Sequence, residues 1–380
     1  MKILIKHFFY LAYTPLSLIL SPLVSADDCF LYIGTGGKKA EGIYQTTFDQ
    51  ATGQFSEVCL SARIDSPGFL TLHPKVDILY AVAKWQKKAG VIGYRIGEDG
   101  ALSEFTREPC PDGMGCHLAV HPSGKFLLTA QYGGGSVAFF PLDDGGNLSV
   151  PTIFKHEGGS KVFEKRQESP HPHWCGFSPC GNYALVPDLG LDRIVVYRID
   201  RERKLISPHG KVISSAGGGP RHMKFSTNGK YLYLLNELSL SVESFSWDPN
   251  LGSAASVSLV KTLTEKEKKA ESFNSAAEIL VHSSGKWVYS SNRGHDSVTA
   301  FKTEKDGSLQ TIQKQPIRGA FPRNINLSPD GHWLLAAGQD SNTISVHKID
   351  QANGKLTYLR GATVNVPNPI CLLFKKRGEH

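Results

Sequence analysis

Apolar residues recur along the chain in short runs set off by glycine turns, and one outline returns six times. The segments are "HPKVDILYAVAK" from His73, "HPSGKFLLTAQY" from His121, "SPCGNYALVPDL" from Ser178, "STNGKYLYLLNE" from Ser226, "HSSGKWVYSSNR" from His282 and "SPDGHWLLAAGQ" from Ser328. Most place a turn with glycine before an aromatic or aliphatic strand, which reads as the tight connection of two antiparallel strands. Each is followed by an alternating strand and another turn, as in "DRIVVYRIDRERKLI" and "DSVTAFKTEKDGSLQ". The spacing of 46 to 57 residues is that of propeller blades. A seventh tail, "GIYQTTFDQATGQFS" from Gly42, has the strand "FLYIGTG" before it but no inner strand, and the C-terminal "NPICLLF" can supply one. The pattern therefore predicts an all-β fold, a seven-bladed β-propeller closed by strands from both termini, which protects the edges an open sheet would expose.

Composition agrees, since 40% hydrophobic residues over 380 positions fill a large core, and 38 glycines with 21 prolines suit many strands and turns. The opening "MKILIKHFFYLAYTPLSLILSPLVSA" has Lys2 and Lys6, an apolar run and then Val24, Ser25 and Ala26. It reads as a signal peptide over 1–26, with the propeller over 27–380 and an exported, periplasmic or secreted, location. Pro15 and Pro22 interrupt a run already short for a bilayer span, so no membrane span is expected after cleavage. Without Lys2 and Lys6 the formal charge drops from +7 to +5. That mild excess is dispersed except at "KEKK" (Lys266–Lys269) and "KKR" (Lys375–Arg377), which argues against nucleic acid as a partner. Nothing in the chain indicates an oligomeric state. Export would permit disulfides, and spacing suggests Cys110 with Cys116, Cys175 with Cys180 and Cys29 with Cys59, leaving Cys371 as a buried thiol.

Aligning the six repeats creates four columns of equivalent positions. Five residues before the opening His or Ser stand Gly68, Cys116, His173, Arg221, Ala277 and Arg323, and next to them Phe69, His117, Trp174, His222, Glu278 and Asn324. At the far end of the following strand stand Ala83, Gln131, Asp188, Asn236, Asn292 and Gly338, then Lys84, Tyr132, Leu189, Glu237, Arg293 and Gln339. Antiparallel pairing puts all four columns at one rim of the ring. Histidine, arginine and carboxylate there, different in each blade, point to residues lining one mouth of the central channel, because a charge near the axis must be paired or face water. Strand alternation predicts that neighbours such as Arg221 and His222 do not both face that mouth.

The segments "RQESPHPH", "VPDLGLDRIVVYRID", "GGGPRHMKFSTNGKYLYLLNELS", "AAEILVHSSGKWVYSSNRGHDSVTAF", "PRNINLSPDGHWLLAAGQDSNTISVHKID" and "PNPICLLF" resemble the lactonase family of seven-bladed propellers. That family includes 6-phosphogluconolactonases and carboxy-cis,cis-muconate cyclases, and the likeness runs from about Phe30 to about Phe374. The resemblance implies a cofactor-free, metal-independent site with His173, Arg221, Glu237 and Arg293 as catalytic and anion-holding members. Arg323, His222, Glu278 and Asp188 sit in equally matching motifs without an assigned role, and with His117 of the rim columns they are the expected substrate-binding residues for a small anionic lactone. Cys175 and Cys180 depart from the family pattern, where a Ser or Val and an Asp are expected.

Lactone opening needs a base for water, donors for the developing oxyanion and an anchor for the substrate's anionic group. Histidine titrates near neutrality, and Glu237 could act as base if partial burial raised its pKa. The expected division is proton work for His173 and Glu237, oxyanion stabilisation by Arg221, and anion holding by Arg293 and Arg323, since guanidinium grips carboxylate or phosphate bidentately. Cycloisomerisation of a carboxylated muconate needs the same equipment, and a non-catalytic binding propeller is the further alternative. In "HPHWC", His171, His173 and Cys175 would face one way on a strand and suit zinc or copper, but no second cluster has ligand spacing. The "GGGP" turn precedes no helix, and "FLYIGTGGKK" lacks the Lys-Ser/Thr of a nucleotide loop. The stretch "TLTEKEKKAESFNSAAE" is read as an extended blade insertion shaping one wall of the mouth, in preference to a short surface helix.

Overall fold

The computed structural model describes residues 28–378, so the segment read as a signal peptide lies outside the described residues. Seven antiparallel sheets surround a central channel. In six of them the chain runs from an inner strand outward, as in the blade made by Pro220–Phe225, Tyr231–Asn236, Ser241–Asp248 and Ser253–Lys261. In the seventh, the C-terminal Pro369–Lys376 is the inner strand and pairs with Asp28–Thr35 from the other end of the chain. Closure by both termini is as the sequence indicated.

Burial follows the radial position of each strand. The second strands, the apolar runs of the repeat, are sandwiched between neighbouring blades and are buried almost throughout, as in "FLLTAQ" and "WVYSSNR". Outer strands such as Ser253–Lys261 alternate or face water. Each Å2 of apolar surface removed from water stabilises by roughly 25 cal/mol, which makes the inter-blade seams the main stabilising layer.

Polar staples fix each blade to the next. Tyr32, Tyr80 and Tyr289 occupy equivalent places and donate to the carbonyls of Gly100 (2.7 Å), Gly146 (2.6 Å) and Gly354 (2.9 Å) in neighbouring outer turns. His73, His121 and His282, which open three of the repeats, bond the carbonyls of Gly124 (3.0 Å), Gly181 (3.0 Å) and Gly331 (2.8 Å) in the next blade. These histidines are therefore joinery, distinct from those of the rim.

Two expectations are corrected. The "TLTEKEKKAESFNSAAE" stretch contains a short helix, Glu265–Ala270, because Thr264 and Glu267 form a reciprocal capping box at its start. No expected cysteine pair is joined. Cys175 is buried against the Leu128 carbonyl, whereas Cys180 is exposed beside Ser178, and Cys110 and Cys116 are also free thiols. Cys29 lies opposite Phe48 and Cys59 opposite Gln45, so the strand Gly42–Asp49 runs between them. Two strand spacings, about 9.5 Å, exceed the Cα separation a disulfide spans.

Candidate active site

The four aligned columns take four different jobs. The first, with Cys116, His173, Arg221 and Arg323, lines a cavity of about 240 Å3 at one mouth, together with Gly68, Phe69, Met114, Gly115, His222 and Ile370. The second forms a floor of rings across the channel: Phe69 to His117 is 4.2 Å between centroids, His117 to Trp174 5.3 Å and His117 to His222 5.4 Å. The third ties the second strand of a blade to the third through side chains, with Asn236 donating to Glu243 (2.6 Å) and Asn292 to Thr299 (3.0 Å). From the fourth come Glu237 and Arg293, which stand behind Arg221.

Strand alternation gives way locally, because the inner strands bulge as they reach the rim. Pro220 pairs with Asn236 and His222 with Leu235, leaving Arg221 as the extra residue, and Arg323 is displaced in the same way between Pro322 and Asn324. A bulge re-aims successive side chains toward one side. Arg221 and His222 therefore both reach the cavity, contrary to the alternation argument.

The loop before Arg221 is held from below. Buried Asp192 accepts from the amides of Gly217 (2.7 Å) and Gly219 (2.9 Å) in "GGGP" and from Gln167 Nε2 (2.6 Å). Gly219 has φ +68°, and a Cβ there would come 2.5 Å from Leu238 Cγ, so the approach to Arg221 requires glycine.

Glu237 is the hub of the charged cluster. Its Oε2 accepts from Arg221 Nε (2.7 Å) and lies 3.2 Å from Arg293 Nη2 and 3.9 Å from His173 Nε2, while Oε1 accepts from Arg166 Nη2 (2.8 Å). Arg221 also donates through Nη1 to the Ala277 carbonyl, and Arg293 through Nη2 to Ala276 (3.0 Å). Burial alone would raise the Glu237 carboxyl, but Arg293 and Arg221, with the hydrogen bond from Arg166, hold it well below the usual carboxylate range. This is the reverse of the raised pKa on which a base role for Glu237 depends. Burial, with Arg221 close by, brings Arg293 down to about 9, and burial likewise lowers Arg323. Both histidines at the cavity, His173 and His222, are pushed well below their ordinary value by burial first and by Arg221 next, so both are neutral at neutral pH.

Three expected substrate-binding residues lie off the cavity wall. Asp188 is fully buried and accepts from the amides of His171 (2.8 Å), Gly190 (3.0 Å) and Leu191 (3.2 Å) and pairs with His156 (2.6 Å), so it organises a loop. His117 sits in the floor, where its Nδ1 accepts from the Cys175 amide (3.3 Å). Glu278 is beneath His222 and faces a second cavity on the other side of the floor. The residues of "HPHWC" take separate partners: His171 donates to the Tyr132 carbonyl (2.8 Å), His173 faces Glu237, and Cys175 points into a seam.

Arg166 escaped the sequence reading. It comes from the long connection between Thr152–Lys155 and Gly176–Phe177, outside every aligned column, and reaches Glu237 and the Tyr132 hydroxyl (3.3 Å). Its signals were the unusual length of that connection and its place at the head of "RQESPHPH", one of the segments that carry the family resemblance.

Four guanidinium groups thus surround a single carboxylate, and Arg323, on the cavity wall, has no hydrogen bond or ion pair among the described residues. The family model described as Lactonase, 7-bladed beta-propeller, matches residues 30–374. The chain belongs to this lactonase family. It is 32% identical over 346 residues to the 6-phosphogluconolactonase of Bacillus subtilis, covering 90% of this chain and 97% of that one. Against the 6-phosphogluconolactonase of Formosa agariphila it is 30% identical over 341 residues, covering 87% and 95%. The structure of a periplasmic gluconolactonase from Pseudomonas aeruginosa superposes with a TM-score of 0.84 at 27% identity, covering 91% of this chain and 99% of that one. The lactonase fold thus accounts for nearly the whole described chain, and the enzyme class for the charged, water-accessible mouth.

Proposed function

We propose that this lactonase hydrolyses an anionic sugar lactone, 6-phosphoglucono-1,5-lactone or a close relative, in an exported compartment. The observation that carries the reading is the uncompensated positive charge of the cavity, with Arg323 unpaired on its wall. Arg323 is half-buried, and a partly desolvated cation without a partner is costly, so an anionic ligand supplies one. The relatives named for 6-phosphogluconolactone support the substrate class, and the one named periplasmic gluconolactonase, with the apolar N-terminal stretch, supports the compartment.

In this reading Arg323 holds the anionic group. Arg221, oriented through Nε by Glu237 and through Nη1 by Ala277, keeps Nη2 for the carbonyl oxygen as negative charge develops there. Glu237 is in turn held by Arg293 and Arg166. Water attacks the carbonyl carbon, a neutral imidazole at the cavity takes its proton, and the same proton passes to the ring oxygen as the carbon–oxygen bond breaks. His173 contacts the reacting group beside Arg221. The apolar side of the cavity, Phe69, Met114 and Ile370, covers the sugar ring.

The test is hydrolysis of 6-phosphoglucono-1,5-lactone beside unphosphorylated gluconolactone, followed by acid release above the spontaneous rate. Turnover favouring the phosphorylated compound and lost in Arg221→Ala is expected. No turnover of either would overturn the reading and move weight to a carboxylated muconate. Cell fractionation tests the compartment.

A further inference from the structure

The mechanism needs one imidazole to take the proton of the attacking water, and the cavity presents two, His173 and His222, with ring centroids 5.5 Å apart. Their surroundings differ in what each could do with that proton. We infer that His222 is the proton acceptor and that Glu278 and Asn324 are its positioning residues, an inference that rests on the lactonase reading above.

The network beneath His222 has one consistent set of hydrogens. Glu278 Oε1 receives His222 Nδ1 (2.8 Å) and the Ile279 amide (3.1 Å), and its Oε2 receives Asn324 Nδ2 (2.8 Å). Asn324 Oδ1 accepts from the Leu372 amide (2.9 Å), which fixes the orientation of the Asn324 amide group. Every neighbour of the carboxylate donates to it, so Nδ1 of His222 carries the hydrogen and Nε2 carries the lone pair. No protein group among the described residues bonds Nε2, and the ring forms part of the cavity wall. The base is thus delivered in the right tautomer, with a carboxylate at hydrogen-bond distance to stabilise the imidazolium it becomes. This is the base and orienter pairing that general-base catalysis requires.

His173 lacks that arrangement. Its Nε2 is 3.9 Å from Glu237, too far for a hydrogen bond, and that carboxylate already serves Arg221, Arg166 and Arg293. Its Nδ1 is 3.7 Å from the Cys116 thiol, a weak partner that sets no tautomer. A proton on His173 would add a cation to a cluster already in positive excess, with no carboxylate of its own.

The charged and titratable groups acting on His222 come from several elements: Glu278 on Ser275–Val281, Arg293 on Trp287–Arg293, Arg323 on Pro322–Leu327, Arg221 and Lys224 on its own strand, and His117 and His173 from two other blades. The cations oppose protonation and Glu278 favours it. The imidazolium therefore forms only transiently as the water oxygen bonds to the carbonyl carbon. It then returns the proton to the ring oxygen as the ring carbon–oxygen bond breaks.

The experiment compares full-length wild type, His222→Ala, His173→Ala and Glu278→Gln on the lactone the wild type turns over, with folding checked by circular dichroism and thermal melting. His222→Ala is expected to lose roughly 100- to 10,000-fold in kcat with KM within about threefold, as removal of a general base does. Added imidazole is expected to restore part of that rate in His222→Ala and none in His173→Ala. Glu278→Gln should move the acidic limb of the kcat profile, a response that mere loosening of the floor does not produce. A folded His222→Ala variant with kcat within fivefold of wild type overturns the inference, as does imidazole rescue confined to His173→Ala. Should His222→Ala fail to fold, a Glu278→Gln profile superimposable on wild type overturns it. An inactive wild type instead overturns the lactonase reading itself, so the two failures are distinguishable.

Discussion

Replacing Glu237 by glutamine tests the central claim that this carboxylate holds the cationic cluster together. The side chain is 7% exposed and is bonded or paired to Arg221, Arg166 and Arg293, so glutamine removes the one negative charge among four guanidinium groups while conserving volume. Removing one partner of a buried ion pair costs about 3–5 kcal/mol. The amide oxygen still accepts a hydrogen bond, which places this substitution at about 3 kcal/mol. With about 2 °C per kcal/mol for a large domain, the melting temperature should fall by roughly 6 °C. The pH dependence has a definite sign. Because the folded carboxyl lies below its unfolded value, its contribution is present above about pH 4.3 and is lost as pH falls through the lower folded value. The gap between wild type and variant should therefore be constant from about pH 5 upward and close only in acid. Scanning calorimetry with and without inorganic phosphate is the assay. The variant, left with cations alone, should gain more from phosphate than wild type does. A melting temperature within about 1 °C of wild type, or a phosphate response no larger, would refute the reasoning.

Three other outcomes are expected. Arg323→Ala should leave the melting temperature unchanged or slightly raised, since no protein partner is lost, yet lower kcat/KM for the phosphorylated lactone by roughly 10- to 100-fold, the worth of one charged hydrogen bond. Equal losses on the unphosphorylated lactone would remove Arg323 as the anion anchor. The kcat/KM profile should stay flat through pH 6.5 and fall only at lower pH, because burial and Arg221 hold His173 and His222 below the ordinary histidine value; a limb centred at 6.5 would contradict this. Tyr80→Phe removes the bond to Gly146 and leaves a buried carbonyl short of a donor, so it should cost about 1–2 kcal/mol in denaturant titration without altering kcat, the site being elsewhere.

The sequence by itself determined the architecture and named candidate rim residues, of which the structure brings His173, Arg221, His222 and Arg323 to one cavity. Blade number, the order of strands and closure by "NPICLLF" follow from a local pattern of turn, apolar strand and alternating strand, and local patterns are readable one repeat at a time. The four columns were legible for the same reason. Which column does what was decided only by the tertiary structure. Asp188 and Glu237 stand one column apart at the ends of equivalent strands, yet one pins a loop and the other gathers three arginines, because the facing of a side chain depends on register and neighbouring blades. The bulges that turn Arg221 and Arg323 into the cavity are shifts of pairing, unseen by an alignment that counts residues. The cysteine pairs failed because closeness along the chain is not closeness across strands. Arg166 sits outside the repeat, and only the folding of its long loop onto the mouth brings it to Glu237.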